Sequence, residues 1–595
     1  MDGKTTFRGV SSTIYLILIQ LVSRGLTFVG NQALLRYLSP DHLGLAIQLE
    51  ALSVSVLYTA RESLRVALQR SGHGQAHHGD PPRKKIQASI NAAYLVVLLG
   101  LLLGTMWGSW YLHQVNEEVL GSHDFALAFR LYGAATLIEL ASEPGFVIIQ
   151  QHALFRDRAR AETTAAITRC VAACLTAIYM HKNGMTTSVL PFAIGQLCYA
   201  SGLFLVYFWT ASRTATSLGF SIIPARVLSS EMFMSMFPRP LLALAAAFYG
   251  QSIFKWLLTQ GDTLVLSLFA DLPSQGIFAL ASNYGGLASR LFFQPIEESS
   301  RNVFGNLLSE STRPTETSKS ASVDGAATES AQQSNHQRAL TYLSTTLHAY
   351  LLLVAIPCTT LLPTVFPLIV QTLLGSKSQW SSSQTFSLLS VYSYYIPCLA
   401  INGILDAFVT SVATEAELGA QSFVMLAVTI IYIAAAYIGT TVLQRGAVGL
   451  VYANILNMIL RILFSLWFIK GWIQHNLPKN IRGTSSTFLR FCKSSTPSSA
   501  CVFTTIVIAI SLHFQPIVKN NMSNTAVVDG LSNKRFGPVD LFDLTYLFSA
   551  AVVLISTIVL TERDFLLGSI EPLLPQRVKG MLSPYITTKD RKSSK

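Results

Sequence analysis

Ala60-Arg61-Glu62-Ser63-Leu64-Arg65 and, 236 residues further on, Ile296-Glu297-Glu298-Ser299-Ser300-Arg301 place charged groups at the same offset inside two otherwise apolar stretches. Arg24-Gly25-Leu26-Thr27 and Gln260-Gly261-Asp262-Thr263 stand at the same separation, with a small compensated gap between the two matches. The echo predicts an internal duplication of membrane helices that carry ions in their interior, a mark of transporter folds rather than of anchored enzymes.

The rest of the chain supports a bilayer setting. Of its 595 residues, 51% are hydrophobic and 12% charged, with a mean hydropathy of +0.44, far too apolar for a soluble protein of this size. The sequence predicts an all-α polytopic membrane protein with about fourteen transmembrane helices, each near the roughly 20 residues that cross about 30 Å of hydrocarbon. The expected spans are 12–38, 43–68, 88–112, 125–150, 161–180, 188–211, 241–269, 275–304, 340–374, 383–411, 419–443, 446–469, 498–513 and 540–560. Such long unbroken runs exclude a membrane barrel of short alternating strands. The first span is too long, and lacks the small-residue site, for a cleaved leader.

Six spans in 1–211 and six in 241–470 predict two parallel six-helix lobes joined by a linker at 212–240, with two additional C-terminal helices in 498–560 and a basic tail at 561–595. An even number of crossings returns each lobe to its starting side, so the repeats are related by an axis along the membrane normal. Residues 309–335 are rich in Ser, Thr, Glu, Gln and Ala, and predict a disordered cytosolic loop. Pro144 in the fourth span and Pro357, Pro363 and Pro367 in the ninth predict kinked or broken helices, because proline removes a backbone donor and clashes with the preceding turn.

The net charge of +12 is unevenly placed. Basic clusters at Arg83-Lys84-Lys85, at Arg156, Arg158 and Arg160, over 470–493 and in the tail share one side if the N-terminus is cytosolic. The positive-inside rule then puts both termini in the cytosol and places the sequon Asn521-Met522-Ser523 on the opposite side, where Asn521 is a candidate glycosylation site. At this hydrophobicity the basic loops are topogenic or face anionic lipid headgroups, and nucleic acid is not an expected partner.

Sixteen charges fall within the spans: Arg24, Glu50, Arg61, Glu62, Arg65, Glu139, Glu143, Arg169, Lys255, Asp262, Arg290, Glu297, Glu298, Arg301, Asp406 and Arg461. Each costs roughly 2.5–3.5 kcal/mol at mid-helix on insertion scales, so each needs a partner or a function. Glu62 with Arg65, Glu297 with Arg301 and Glu298 with Arg301 sit at i, i+3 or i, i+4 and predict structural ion pairs or a gate. Arg24, Arg61, Arg290 and Arg461 have no such partner on their own helices. Guanidinium groups bind phosphate oxygens bidentately, so these four are candidate ligands for an anionic headgroup in a cationic inter-lobe cavity. Glu139 and Glu143 are candidates to counter those arginines, to bind sugar hydroxyls or to titrate as a proton or cation site.

Several chemistries lack their signatures. The seven cysteines form no disulfide framework, and Cys170 with Cys174 has no further soft ligand beside it. His73, His77 and His78 cluster in a loop without a metal-site pattern. There is no phosphate-binding Gly-x-x-x-x-Gly-Lys loop, nucleophile elbow or His-Glu-x-x-His helix. No cofactor, metal or enzymatic reaction is therefore expected.

Leu35-Arg36-Tyr37-Leu38-Ser39 with Gly44, then Ala60 to Arg65, Glu139 to Pro144, Gln151-His152-Ala153-Leu154 and Pro295-Ile296-Glu297-Glu298-Ser299 resemble the Rft family of endoplasmic-reticulum membrane proteins. The order and spacing of these motifs carry the resemblance, which extends over most of the chain. It implies the multidrug/oligosaccharidyl-lipid/polysaccharide exporter superfamily and a role in N-linked glycosylation. The implied activity is movement of a dolichol-pyrophosphate-linked oligosaccharide from the cytosolic to the lumenal leaflet by alternating access. The bilayer, that glycolipid and other membrane proteins of the glycosylation pathway are the implied partners. Two other readings stay open: a non-transporting accessory or scaffold of the same pathway, in which buried charges are paired throughout, and an ion-coupled multidrug-type exporter, in which acidic residues dominate the cavity.

Overall fold

The computed structural model describes residues 29–74, 82–115, 120, 123–152, 154–185, 188–227, 232–309, 325–374, 380, 382–476, 484–513, 541–563 and 565–566. They are overwhelmingly helical. In chain order the helices are α1 (Pro40–Gly74), α2 (Pro82–Gln114), α3 (His123–Ala141), α4 (Glu143–Gln151), α5 (Phe155–Lys182), α6 (Leu190–Leu218), α7 (Arg239–Phe269), α8 (Leu272–Ala288) and α9 (Gln294–Ser309). There follow α10 (Gly325–Tyr350), α11 (Ile356–Thr360), α12 (Leu362–Leu374), α13 (Ser383–Val412), α14 (Glu415–Tyr437), α15 (Gly446–Asn476), α16 (Thr484–Ser495), α17 (Ser499–His513) and α18 (Leu541–Thr561). The only sheet among the described residues is a two-residue hairpin, β1 (Met232–Phe233) with β2 (Phe237–Pro238).

Nine helical segments of 26–31 residues are long and apolar enough to cross a membrane, and the pair Thr487–Ser495 and Ser499–Leu512, bent by 51°, makes a tenth if taken as one span. At about 1.5 Å per residue each of the nine exceeds the hydrocarbon thickness. Helices also cover the expected spans 241–269 and 275–304, while most of the expected span 12–38 lies outside the described residues. The helix ends follow local chemistry. Pro191 stands in the first turn of α6, and Gly219, at φ 71°, closes that helix in the left-handed conformation that glycine adopts without a Cβ penalty. At α14, Thr414 and Glu417 form a reciprocal capping box.

The proline-bearing spans are broken as their sequences predict. α3 stops at Ala141 and α4 restarts at Glu143, with the Ser142 hydroxyl donating to the Glu139 carbonyl at 2.6 Å. Ahead of Pro357 the backbone widens into a π turn over Leu351–Ala355, and the helix breaks again at Leu361. Thr359 and Thr360 donate to carbonyls within that kink, and Ser390 on α13 donates to the Pro363 carbonyl at 2.7 Å. The Ser390 hydroxyl thus satisfies the carbonyl that Pro367 leaves without its helical donor, as hydrocarbon requires.

One expectation is corrected. The loop expected to run disordered to Asn335 gives way to helix at Gly325. Ala326, Ala327, Glu329, Ala331, Gln332 and Gln333 are good helix formers, and they extend a helix whose later turns are packed, so polar composition alone misled. Residues 310–324 lie outside the described set.

The chain divides into two compact units, 1–280 with 373–380, and 281–372 with 381–595. In the first, α1 packs on α2, α3 and α7, and α5 on α6. The division does not fall in the expected 212–240 linker, because α7 lies along α1 and belongs with the first unit. Within that unit α1 and α8 cross almost backbone to backbone. A Cβ on Gly44 would lie 2.1 Å from the Leu272 carbonyl oxygen, and one on Gly276 would lie 1.9 Å from that of Pro40. In the second unit α13 and α15 form the center, and Gly439 meets Gly449 in the same manner. Small residues are what allow helices to approach so closely in a membrane. There the C-terminal helices pack Cys501, Ile508, Leu512, Leu547, Leu554 and Ile558 against Leu352 and Ile356. Glu562 fastens them: it accepts from the Ser498 amide at 2.6 Å and lies 3.3 Å from His348.

Because backbone atoms cannot yield as a flexible side chain does, Gly276→Ala should destabilise the protein by about 1–3 kcal/mol, the usual range for overpacking. Gly261→Ala, where no atom lies within 4 Å of the added methyl, should be near neutral. Thermal unfolding in detergent micelles checks the contrast.

Candidate functional site

The charges singled out by sequence gather into networks, one in each unit. In the first, α1 presents Arg61 and Arg65 one turn apart on the same face, toward the broken junction of α3 and α4. Arg61 Nη1 lies 2.9 Å from Glu139 Oε1 and 3.5 Å from Glu143 Oε1. Arg65 grips Glu143 in a two-pronged contact, its Nε donating to Oε2 at 3.1 Å and its Nη2 to Oε1. Its guanidinium also stacks over the Phe146 ring at 3.8 Å, and Arg158 approaches the same ring at 5.2 Å.

Both carboxylates are buried, whereas the two guanidiniums keep about a fifth of their side-chain surface exposed. Buried charge of one sign is costly, but two carboxylates facing two guanidiniums with charge-assisted hydrogen bonds are balanced. The helix break at Ser142 makes this possible. It sets Glu139 at the end of one helix and Glu143 at the start of the next, so both reach a single guanidinium. A second cross-helix pair in this unit joins Arg169 on α5 to Glu50 on α1 at 2.9 Å.

The second unit repeats the pattern. Arg301 on α9 binds Glu297 at 2.7 Å within its own helix and reaches Asp406 on α13 at 3.6 Å. Gln421 on α14 donates to the other oxygen of Asp406 at 3.0 Å. Gly403 leaves room for Glu297, since a Cβ there would stand 2.9 Å from its Oε2. The 236-residue echo therefore has a counterpart in space: each repeated cluster sends a guanidinium to a carboxylate two predicted spans further along the chain.

Of the residues expected to act, Arg61, Arg65, Glu139 and Glu143 come together, as do Glu297 and Arg301. Arg65, expected to pair with Glu62, binds Glu143 on another helix. Arg301 takes Glu297 and Asp406, while Glu298 is exposed. Arg290 lies in a π turn over Ser289–Phe293. Arg24 and Asn521 fall outside the described residues.

Arg461 on α15 is different. Its Nε is buried without a hydrogen-bond partner among the described residues, and so are both amide atoms of Asn454 and the hydroxyl of Ser465, seven residues before it and four after. Those spacings put the three on one helix face. Sequence reasoning missed Asn454, Ser465 and Gln421. Neutral polar residues within a span cost little enough to escape notice, and only their burial marks them. Among the described residues no group of three or more His, Cys, Asp or Glu side chains gathers as a metal site would.

A bundle of broken, membrane-length helices with guanidiniums and carboxylates matched in its interior is a multi-pass membrane protein. A solved structure, the lipid II flippase MurJ in an inward closed conformation, shares this fold with a TM-score of 0.55 and 14% identity, covering 93% of this chain and 100% of that one. A family profile described as Rft protein matches residues 8–571, and the chain belongs to that family. A relative from Yarrowia lipolytica (strain CLIB 122 / E 150), named Man(5)GlcNAc(2)-PP-dolichol translocation protein RFT1, is 32% identical over 504 residues, covering 79% of this chain and 71% of its own. A Mus musculus protein of the same name is 27% identical over 487 residues, covering 78% of this chain and 83% of its own.

Glu143→Gln strips Arg65 of its carboxylate and leaves Arg61 with Glu139 alone, so it should destabilise the protein by about 3–5 kcal/mol, the range for breaking a buried pair. The double variant Arg65→Gln with Glu143→Gln should lose less than the two single losses combined, because neither change then strands a buried charge. A double-mutant cycle of thermal unfolding in micelles reads this coupling.

Proposed function

We propose that this chain moves a dolichol-pyrophosphate-linked oligosaccharide from the cytosolic to the lumenal leaflet of the endoplasmic-reticulum membrane, by alternating access through a bundle of fourteen crossings with both termini in the cytosol. The observation that carries the reading is family membership over residues 8–571, with relatives named for translocation of such a lipid. Nothing in the reading calls for bond cleavage; consumption of the lipid on the far side suffices to pull the equilibrium.

The charges are assigned accordingly. Arg461, whose Nε has no acceptor among the described residues, is the cation ready to take a diphosphate oxygen, with Arg290 as a further contact. The hydroxyl and amide groups of Ser465 and Asn454 suit sugar hydroxyls. Arg61, Glu139 and Glu143 form a latch within the first unit. Arg61 already has its carboxylates, so a diphosphate engages it only by displacing Glu139 or Glu143 from its Nη1. The polyprenyl tail stays in lipid.

The accessory or scaffold reading draws on one specific observation: charges in both units are matched by neighboring carboxylates, as a protein with no anionic cargo requires. Purified protein in vesicles separates the two. On the translocation reading, leaflet exchange of labelled glycolipid rises above that of empty vesicles, and Arg461→Gln lowers it tenfold or more, equivalent to about 1.4 kcal/mol or more. No exchange by the unaltered protein removes direct translocation and leaves the scaffold.

The orientation has its own test in intact microsomes. Protease added outside should cut within 310–324, and endoglycosidase added after the membrane is dissolved should shift the mobility of the unaltered chain but not of Asn521→Gln. Proteolysis only after the membrane is opened overturns the topology.

A further inference from the structure

The segment joining α6 to α7 is tied to α2 by hydrogen bonds from three of its side chains. Asn91 is fully buried and uses its whole hydrogen-bonding capacity. Its amide donates to the carbonyls of Ala225 at 2.7 Å and Met236 at 2.9 Å, and its oxygen accepts from the Ala225 amide at 3.1 Å and from Gln87 at 3.2 Å. Gln87, one turn earlier, donates to the Ile223 carbonyl and accepts from the Ser221 amide, while the Tyr94 hydroxyl donates to the Ile222 carbonyl. Phe220 and Ile222 pack inward against a core of Ile90, Ile148 and Ala211. The Val227 amide bonds to the Ser235 carbonyl at 2.8 Å and closes the loop onto its hairpin.

What this clamp holds outward is apolar. Ile223 is 70% exposed, Met234 73% and Phe233 47%. At the hairpin tip Met234 and Ser235 adopt φ 53° and 57°, a left-handed backbone that favors glycine or asparagine. A methionine held there in a strained conformation, with its side chain outside the fold, points to a use for the side chain itself. The segment begins where α6 ends at Leu218 and leads into α7 at Arg239, so it lies at a membrane face. It continues the outer surface of α6, where Leu205, Phe208 and Trp209 are exposed and Arg213 stacks over Trp209. Arg226 and Arg239 are exposed beside the apolar tip.

We propose that this clamped hairpin is an interfacial membrane anchor: Ile223, Phe233 and Met234 enter the boundary between headgroups and acyl chains, and Arg226 and Arg239 engage anionic headgroups. Apolar side chains flanked by arginine are the chemistry that boundary selects, and a polyamide clamp supplies the fixed depth that a loose linker lacks. The anchor holds the start of α7 at a set level in the bilayer. The inference is independent of what the protein transports, and only the choice of leaflet follows the proposed orientation.

The test uses the full chain in vesicles of phosphatidylcholine and phosphatidylserine, with a tryptophan reporter at the tip. The difference emission between Phe233→Trp and the parent should be blue-shifted. It should be quenched several-fold more by lipids brominated near the headgroup end of the acyl chain than by iodide. Asn91→Ala in the Phe233→Trp background should lower that lipid quenching at least twofold, and Arg226→Gln with Arg239→Gln should remove its dependence on phosphatidylserine. A reporter quenched by iodide and not by brominated lipid overturns the anchor, as does one shielded from both, which signals a protein neighbor. Unchanged quenching in Asn91→Ala overturns the role of the clamp.

Discussion

An ion placed in hydrocarbon must find its counter-ion inside the protein, and the placement of Arg61 and Arg65 opposite Glu139 and Glu143 is the arrangement on which the first unit depends. The four groups come from α1 on one side and from α3 and α4 on the other, so the pairing fixes the register of those helices as well as their charge. Packing around them is correspondingly close: Ala60, Leu64, Leu140 and Val147 belong to one buried cluster with α2 residues Ala92, Ala93 and Val96. A shift of a single residue along α1 would turn its charged face away from the carboxylates and into lipid or apolar core.

The same requirement explains the helix breaks. Proline frees backbone groups that lipid cannot solvate, and Ser390 returns a donor to the Pro363 carbonyl, while Ser142, Thr359 and Thr360 add side-chain bonds to carbonyls beside the breaks. The break at Ser142 also brings two carboxylates to one guanidinium. Structural irregularity and charge placement are thus one solution to one problem. The glycine contacts serve it too, since Gly403 gives Glu297 and Arg301 room beside α13.

A neutral network changes how an anionic cargo would be met. Guanidiniums already held by carboxylates offer exchange of partners in place of a bare positive surface, and each exchange must uncouple a buried carboxylate. Arg461 has a buried Nε without an acceptor among the described residues, in line with Asn454 and Ser465. A buried, unsatisfied polar group costs about 1–3 kcal/mol, and three residues bearing them on one helix face make that face the part of the second unit with most to gain from a polar ligand.

Much of this was legible in the sequence: the apolar runs, the internal echo, the proline breaks and the pair Glu297 with Arg301. Each is local, because a span is a continuous stretch and an i, i+4 pair shares one helix face by geometry alone. The partners of Arg61, Arg65 and Asp406 were not legible, nor was the burial of Asn91 and Asn454. Those depend on which faces of distant helices meet, and no spacing along one helix encodes that. Residues 325–335 read as disordered because composition carries no record of the packed helix they extend. Sequence by itself determined that the chain lives in a bilayer and which residues would need partners there. Tertiary structure alone decided who the partners are, because in a medium without water the choice is made by contact between helices.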